Sequence, residues 1–178
     1  MAASTSAPSP PRSCSVELAN DPAVLEAHFA VCRRIFVAAQ GLFLTDDRDA
    51  RDDAAATLHA VGCFGEHVCG AVRLYPLDDD GLWKGDRLAV LPSERVQRLG
   101  AMLVAFAVRT AGARGGHTMH ASIQRPNVEF FERLGWTRAG RIEVLHGLEH
   151  QPMATALDAG DALEAQPGGV DLSRRPAR

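Results

Sequence analysis

One segment near the middle of the chain limits what the rest can fold into: a short apolar strand is followed at once by a basic turn and a long apolar helix. The strand ends near Val90, and Gly100 opens a helix that is predicted to run to about Ala113. The first amides of such a helix have no partner within it, and the helix dipole adds partial positive charge there. With Arg95 and Arg98 beside them, these amides favour a phosphate or pyrophosphate group, although an ordinary strand-to-helix turn would show the same pattern.

The pattern on either side of this segment predicts one α+β domain. Residues 1–14 and 159–178 are rich in Ala, Ser, Pro or Gly and are predicted to be disordered tails around a domain at 15–158. The mixed order of the elements between them favours packing around one central sheet. The predicted elements are a helix from 22 to about 39, hairpin strands at 57–64 and 68–74, a strand at 83–90, the helix at 100–113, a strand at 117–123, a helix at 127–134, and closing strands at 137–144 and 150–157.

Charge and cysteine usage exclude several classes of protein. A net charge of −3 gives no electrostatic basis for binding nucleic acid. The chain has no apolar run of membrane-spanning length and no apolar secretory signal near Met1, so we predict a cytoplasmic protein. The four cysteines (Cys14, Cys32, Cys63 and Cys69) lack the spacing of a zinc site, and we expect reduced structural thiols and no metal.

Two motifs can be compared with known families. The first is Val90-x-Pro-x-x-Arg95-x-x-Arg98-x-Gly100-Ala, and the second is Asn127-Val-Glu-Phe-Phe-Glu-Arg-Leu-Gly-Trp. In order and approximate spacing they resemble the acetyl-CoA loop (Arg/Gln-x-x-Gly-x-Gly/Ala) and a later signature of the GNAT superfamily of N-acetyltransferases. The resemblance covers roughly residues 16–157. It implies a GNAT-like fold, with a mixed central β-sheet that is flanked by helices and splays apart after strand 4, and acetyl-CoA as co-substrate in that cleft.

The resemblance also implies which residues contact acetyl-CoA. Arg98 stands where the superfamily has a glycine, and a positive φ there would strain it. Asn127 is expected to cap its helix, to bind the pantetheine arm, or to do both. The implied contact residues are Leu88, Ala89, Val90, Arg95, Val96, Gln97, Arg98, Leu99, Gly100, Ala101, Asn127 and Phe131.

Two upstream segments resemble narrower groups. The segment from Arg33 to Gly41, followed by an Asp-rich loop, is similar to a branch partly shared with acyl-homoserine-lactone synthases. This similarity implies that Arg33, Phe36 and Gln40 line the acceptor side. The segments 73–77 and 82–90 resemble a bacterial subgroup associated with nitrogen-starvation gene clusters, which implies a role in nitrogen metabolism.

Asp86 is the candidate base, or the carboxylate that orients the attacking amine. An amine must lose a proton when it attacks a thioester, usually through water. Period-two alternation places Lys84, Asp86, Leu88 and Val90 on one face of their strand. A structural carboxylate paired with Arg73 or Arg87 is the equally weighted alternative.

The general acid is less evident, because the superfamily's tyrosine corresponds to Phe131, which cannot donate a proton. Tyr75, His120 and His146 are the titratable candidates to protonate the leaving thiolate, and for each a structural role is favoured over a catalytic one.

The acidic loop at 45–53 is interpreted as a solvated charged loop, with attraction of a cationic amine or Ca²⁺ binding as alternatives. Its spacing does not match an EF-hand.

Together these observations predict an acetyl-CoA-dependent N-acetyltransferase that acts on a small-molecule amine. A catalytically degenerate domain that binds acyl-CoA or a partner protein, and an acyltransferase with a longer acyl donor, are the alternatives. The resemblance allows a homodimer, and no feature of the sequence indicates nucleic acid or a membrane as a partner.

Overall fold

The computed structural model describes residues 13–94 and 98–157, so most of both predicted tails lies outside the described residues. None of the described helices is long and apolar enough to cross a membrane. The strands are β1 (Cys14–Leu18), β2 (Leu58–Phe64), β3 (His67–Pro76), β4 (Leu82–Val90), β5 (Thr118–Gln124), β6 (Thr137–Arg138), β7 (Glu143–Leu145) and β8 (Leu148–Ala156). The helices are α1 (Pro22–Cys32, continued as a π-helix over Arg33–Ala39), α2 (Leu99–Gly112) and α3 (Val128–Arg133), with short 3₁₀ turns at Pro92–Glu94 and Arg125–Asn127.

The strands form one mixed sheet in the order β1-β2-β3-β4-β5-β8-β6, with β7 also paired to β8. Among the strands of the described residues, the β4–β5 pair alone is parallel. This arrangement confirms the predicted α+β fold with a sheet that opens after its fourth strand. Strand β1 was missed and overlaps the predicted tail at Cys14, although its alternating burial is a half-buried strand pattern. The predicted closing strand at 137–144 is wrong as a single element, since it is broken around Gly140 (φ +155°) into β6 and β7.

Helix α1 begins as predicted, at Asp21 and Pro22. The Asp21 side chain accepts a hydrogen bond of 2.8 Å from the Ala23 amide, which caps the helix. The last seven residues are wound as a π-helix and not as the predicted α-helix, and the Gln40 amide reaches back five residues to the Ile35 carbonyl. Gly41, at φ +63°, ends the helix. The wider turn matters because it presents this end of the helix to the cleft described below.

Helix α2 packs unusually close to the sheet, because two glycines lie beneath it. A Cβ atom added at Gly62 would lie 2.6 Å from Leu99 Cδ1, and one added at Gly70 would lie 2.7 Å from Leu103 Cδ1. Leu99 and Leu103 are fully buried in the larger core cluster on this face. Glycine is therefore required at both positions for close approach and not for an unusual backbone angle. This packing fixes the start of α2 beside the end of β4.

A buried histidine on the α1 side of the sheet is expected to make the stability of the fold depend on pH. His28 is 1% exposed, and its Nδ1 lies 3.1 Å from the Ala60 carbonyl oxygen, to which it donates. Burial lowers the pKa of His28 to about 4, although the hydrogen bond to Ala60 opposes the shift. The unfolded chain therefore binds a proton at higher pH than the folded protein does. The contribution to stability is complete above about pH 6.5 and is lost as the pH falls towards about 4.

We expect the free energy of unfolding to fall by about 3 kcal/mol more between those two pH values in the wild type than in His28→Asn. Asparagine can still donate to Ala60 but cannot titrate. Urea unfolding at a series of pH values measures the difference, and the exposed His67→Asn serves as the matched control. Equal pH slopes for wild type and His28→Asn would contradict the assignment.

Candidate active site

The sheet contains a cleft because β4 and β5 pair over only three residues each. Their parallel pairing joins Leu82–Lys84 to Thr118–His120 and then stops, while β5 continues along β8. Beyond that point no strand of the described chain lies against residues 85–89 on this side of β4. The opening leads into a cavity of about 820 Å³, a size typical of small-molecule sites. An extended ligand could add to this strand edge as an extra strand does.

A β-bulge sits in β4 at the mouth of the cleft. Arg73 is opposite Asp86 and Ala71 is opposite Ala89, so β4 contains one more residue than β3 over this stretch. The extra residue is accommodated by Arg87, which has a left-handed backbone at φ +52°. The prediction that Leu88 and Val90 share a face with Lys84 and Asp86 is therefore wrong. The bulge turns Leu88 and Val90 towards the α2 core, while Asp86 stays on the α1 side with Arg73.

One wall of the cavity carries most of the residues expected to contact acetyl-CoA. The side chain of Leu99 is an exception, because it is fully buried under α2 and does not line the cavity. Arg95, Val96 and Gln97 lie outside the described residues. Those that line the cavity are Leu88, Ala89, Val90, Arg98, Gly100, Ala101, Asn127 and Phe131.

The start of α2 faces this wall. Arg98 is the N-cap residue, at φ +46°, so the conformation that favours glycine is occupied here by an arginine. No described side chain caps the helix, and its first amides are available to an anion. The expected cap by Asn127 on α3 is likewise not formed, and its side chain lines the cavity instead. Phe131 packs edge-on against Trp136, with ring centroids 5.3 Å apart.

The opposite wall belongs to the end of the α1 π-helix and to the far sides of β4 and β5. Phe36 and Gln40 line this wall, and Gln40 Oε1 accepts a 3.1 Å hydrogen bond from Gln124 Nε2. Arg33 does not line the cavity, which corrects the prediction that it would. Its side chain is 42% exposed and lies 3.5 Å from Glu26 on the outside of the helix.

The acidic loop is only partly solvated, which corrects the interpretation made from the sequence: Asp46 and Asp53 are exposed, but the side chains of Asp47 and Asp52 are buried. Arg73 is 1% exposed, and its guanidinium contacts Asp49 (2.8 Å), Asp52 (2.9 Å) and Asp86 (2.8 Å). Burial alone would raise the pKa of Asp49, but hydrogen bonds from Arg73 and from the Arg51 amide outweigh it and lower that pKa. The loop is thus fastened to β3 and β4 by ion pairs.

The bulge residue makes a second fastening. Arg87 Nε lies 3.0 Å from Asp47 Oδ2, and Asp47 is 3% exposed. The guanidinium of Arg87 also lies 4.9 Å from the ring centroid of Phe43 and 5.9 Å from that of Phe36, both on the cavity wall. Loop, bulge and π-helix therefore form one connected surface on this side of the cleft.

Asp86 lies at the edge of this network and lines the cavity, with its side chain 22% exposed. It accepts two hydrogen bonds of 2.8 Å from Arg73 and one of 3.3 Å from the Tyr75 hydroxyl. The ion pair with Arg73 that the sequence left as an alternative is therefore present. The arrangement holds a carboxylate at the point where the two walls of the cavity meet.

The three candidate general acids differ in whether they line the cavity. Tyr75 and His120 do not line the cavity. Burial, followed by the charge of Asp86, raises the pKa of Tyr75 to about 12. His146 does line it, at the β7–β8 turn, with its ring centroid 4.6 Å from that of Phe43.

A lysine on β4 and a serine on β5, neither proposed as a site residue from the sequence, contact each other across the cleft. Lys84 Nζ donates a 3.0 Å hydrogen bond to Ser122 Oγ, and both residues line the cavity. They are 38 residues apart in the chain. Alternation placed Lys84 on the face of Asp86, but the sequence carries no signal for its partner on β5.

Comparison with known proteins agrees with this geometry. The profile of the acetyltransferase (GNAT) family matches residues 26–136. Similar solved structures include Escherichia coli ElaA (18% identity, TM-score 0.70, covering 80% of this chain and 98% of that one) and an acyl-CoA N-acyltransferase from Pseudomonas aeruginosa (19%, 0.67, 80% and 98%). An aminoglycoside 6'-N-acetyltransferase complexed with coenzyme A is also similar, with 15% identity and a TM-score of 0.64, covering 82% of this chain and 97% of that one. Identities this low show a shared fold, whereas the profile covers more than half of the sequence. The chain therefore belongs to the acetyltransferase (GNAT) family.

Proposed function

We propose that this protein transfers an acyl group, with acetyl as the expected group, from acyl-CoA to the amine of a small molecule. The observation that carries the proposal is the strand edge at 85–89, which opens into the cavity beside the uncapped start of α2. The edge suits the amide groups of a pantetheine arm, and the helix start suits the phosphates of CoA. Gly100, Ala101 and Asn127 would border that arm.

The reaction would be a direct transfer. The neutral amine attacks the thioester carbonyl, the new C–N bond forms, and the C–S bond breaks to release the CoA thiolate. Backbone amides of β4 beyond the bulge would polarise the carbonyl oxygen. Asp86, held in place by two hydrogen bonds from Arg73, would orient the amine and receive its proton through water.

No side chain is assigned as the acid for the thiolate. Tyr75 and His120 lie away from the cavity, and Phe131 has no proton to give. His146 lines the cavity, but its ring packs against Phe43 on the acceptor side. The thiolate would take its proton from water.

A longer acyl donor is the second candidate. Apolar side chains continue the cavity past Asp86 on the acceptor side, where they could contact an acyl chain. They are Ile35, Phe36, Leu42, Phe43 and Leu145.

The test is thiol release from acetyl-CoA and octanoyl-CoA in the presence of a panel of small amines. We expect amine-dependent release that Asp86→Asn lowers by about 100-fold in kcat/KM, the scale of a lost general base. Asp49→Asn is the matched control, since it removes another carboxylate from Arg73 but does not line the cavity. Binding of acyl-CoA without release for any amine would favour the catalytically degenerate domain. Equal activity of Asp86→Asn and wild type would reject the role given to Asp86.

Several finer assignments stay predictions from the sequence. They are the nitrogen-starvation-associated subgroup with its role in nitrogen metabolism, a bacterial source, a cytoplasmic location and a homodimer.

A further inference from the structure

The acceptor side of the cavity holds a cation that no described carboxylate neutralises. Lys84 forms no ion pair with the described residues, and its ammonium makes the one hydrogen bond to Ser122. Arg87, on the same strand, is paired with Asp47 and Asp49. The lysine is half-buried, so its charge is neither fully hydrated nor compensated.

Asp86 is the carboxylate that would be expected to pair with Lys84, because the two residues alternate on one face of β4. It is turned to Arg73, which takes both of its oxygens in a bidentate contact. The Tyr75 hydroxyl adds a third hydrogen bond to Asp86. The ion-pair network that holds the acidic loop thus pairs Asp86 with Arg73 and leaves it unavailable to Lys84.

Lys84 and Ser122 lie on the face of the sheet that forms the acceptor side of the cavity. On β5, Met119, Ala121 and Ile123 belong to the core under α2, so Ser122 projects from the opposite face. Gln124, the next residue on that face, reaches Gln40 of helix α1. Lys84 crosses from β4 to Ser122 just where the two strands part.

The chemistry of the pair suits a carboxylate. An ammonium has three donors, of which Ser122 takes one, and the serine hydroxyl can turn to donate as well. Charge-assisted hydrogen bonds of this kind are stronger than neutral ones. The same positive charge disfavours an amine that brings no anionic group with it.

We propose that Lys84 and Ser122 bind the carboxylate of the acceptor, and that the acceptors of this protein are amino acids. This inference rests on the proposed acyl transfer and adds the class of acceptor to it. The carboxylate would lie on the floor of the cleft, with the amine directed towards Asp86 and the thioester.

The experiment compares kcat/KM for matched trios of acceptors, each an amino acid, its carboxamide and its decarboxylated amine. Glycine, phenylalanine and glutamine each supply a trio. The carboxamide has the more easily deprotonated amine, so its intrinsic reactivity works against the expected preference. We expect the wild type to favour at least one amino acid over its carboxamide by about 10- to 100-fold, mainly through KM.

Three variants locate the site. Lys84→Met should lose about 10- to 100-fold in kcat/KM on the amino acid and a smaller factor on the carboxamide, whose neutral oxygen accepts a weaker hydrogen bond, so that the preference is largely removed. Lys84→Arg, which keeps the charge, should retain part of the preference, and Ser122→Ala should lose a smaller part. Melting temperature and acetyl-CoA affinity serve as controls, because Lys84 lies on the wall opposite α2.

The outcomes separate the two proposals. Transfer to carboxamides or simple amines at least as efficient as to amino acids would overturn this inference and leave the proposed function standing. An amino-acid preference that survives in Lys84→Met would overturn the assignment of the site. Failure to release thiol with every acceptor would overturn the proposed function and this inference with it.

Discussion

Replacing Arg73 with methionine is expected to lower the free energy of unfolding by about 3–5 kcal/mol, the largest stability effect that we predict for a single substitution. The arginine is 1% exposed and contacts three carboxylates. Its removal would leave Asp52, whose side chain is 4% exposed, without the guanidinium and held by the His59 ring at 3.0 Å and the Asp49 amide at 2.8 Å. Arg73→Lys should also be destabilised, since a lysine cannot present the planar fork that reaches all three groups.

Urea unfolding of wild type and variants measures this effect. If uncompensated charge is the cause, adding Asp52→Asn to Arg73→Met should restore about 1 kcal/mol or more. The deficit of Arg73→Met should also shrink as the pH falls towards about 4, where carboxylates begin to take up protons. A loss that neither change reduces would indicate that the arginine acts by packing, and a loss below about 1 kcal/mol would contradict the network as described.

Gly100→Trp is expected to weaken acetyl-CoA binding by on the order of 100-fold or more without unfolding the protein. Gly100 lines the cavity at the first turn of α2, where the proposed site receives the phosphates and the pantetheine arm. An indole there would fill the space that the co-substrate needs. Isothermal titration of acetyl-CoA measures the loss.

Gly100→Ala is the matched control for that experiment. A Cβ atom at this position would lie 3.6 Å from Phe130 Cζ and 3.8 Å from Val90 Cγ2, which are ordinary contacts. Alanine should therefore bind acetyl-CoA nearly as well as the wild type and stabilise α2 by up to about 1 kcal/mol. Equal affinity for the tryptophan variant and the wild type would remove this part of the cavity from the proposed site.

The features predicted correctly from the sequence are those that neighbouring residues determine. Asp21 and Pro22 start α1, and Gly41 ends it, because capping and left-handed conformations depend on the residue itself. The apolar strand before the turn and the apolar helix after it emerge from their own periodicity. The opening of the sheet after β4 was implied by the family resemblance and not by the pattern of residues.

The features missed depend on partners distant in the chain or on a backbone that the residue disfavours. Alternation failed past Arg87 because an arginine at positive φ is uncommon and nothing local marks the bulge. The ion pair of Asp49 with Arg73 spans 24 residues, and the contact of Lys84 with Ser122 spans 38. A run of aspartates is usually solvated, and only the fold shows that arginines from two strands meet it.

The strand edge at 85–89 has a consequence for how this protein can diversify. A peptide backbone presents the same N–H and C=O groups whatever side chains it carries. The proposed backbone contacts with CoA therefore place few restrictions on the amino-acid sequence of this strand. The side chains that project from β4 and β5 into the acceptor side of the cavity can therefore vary with the acceptor. Structures that share the fold at 18% and 19% identity show that this sheet tolerates extensive change in its side chains.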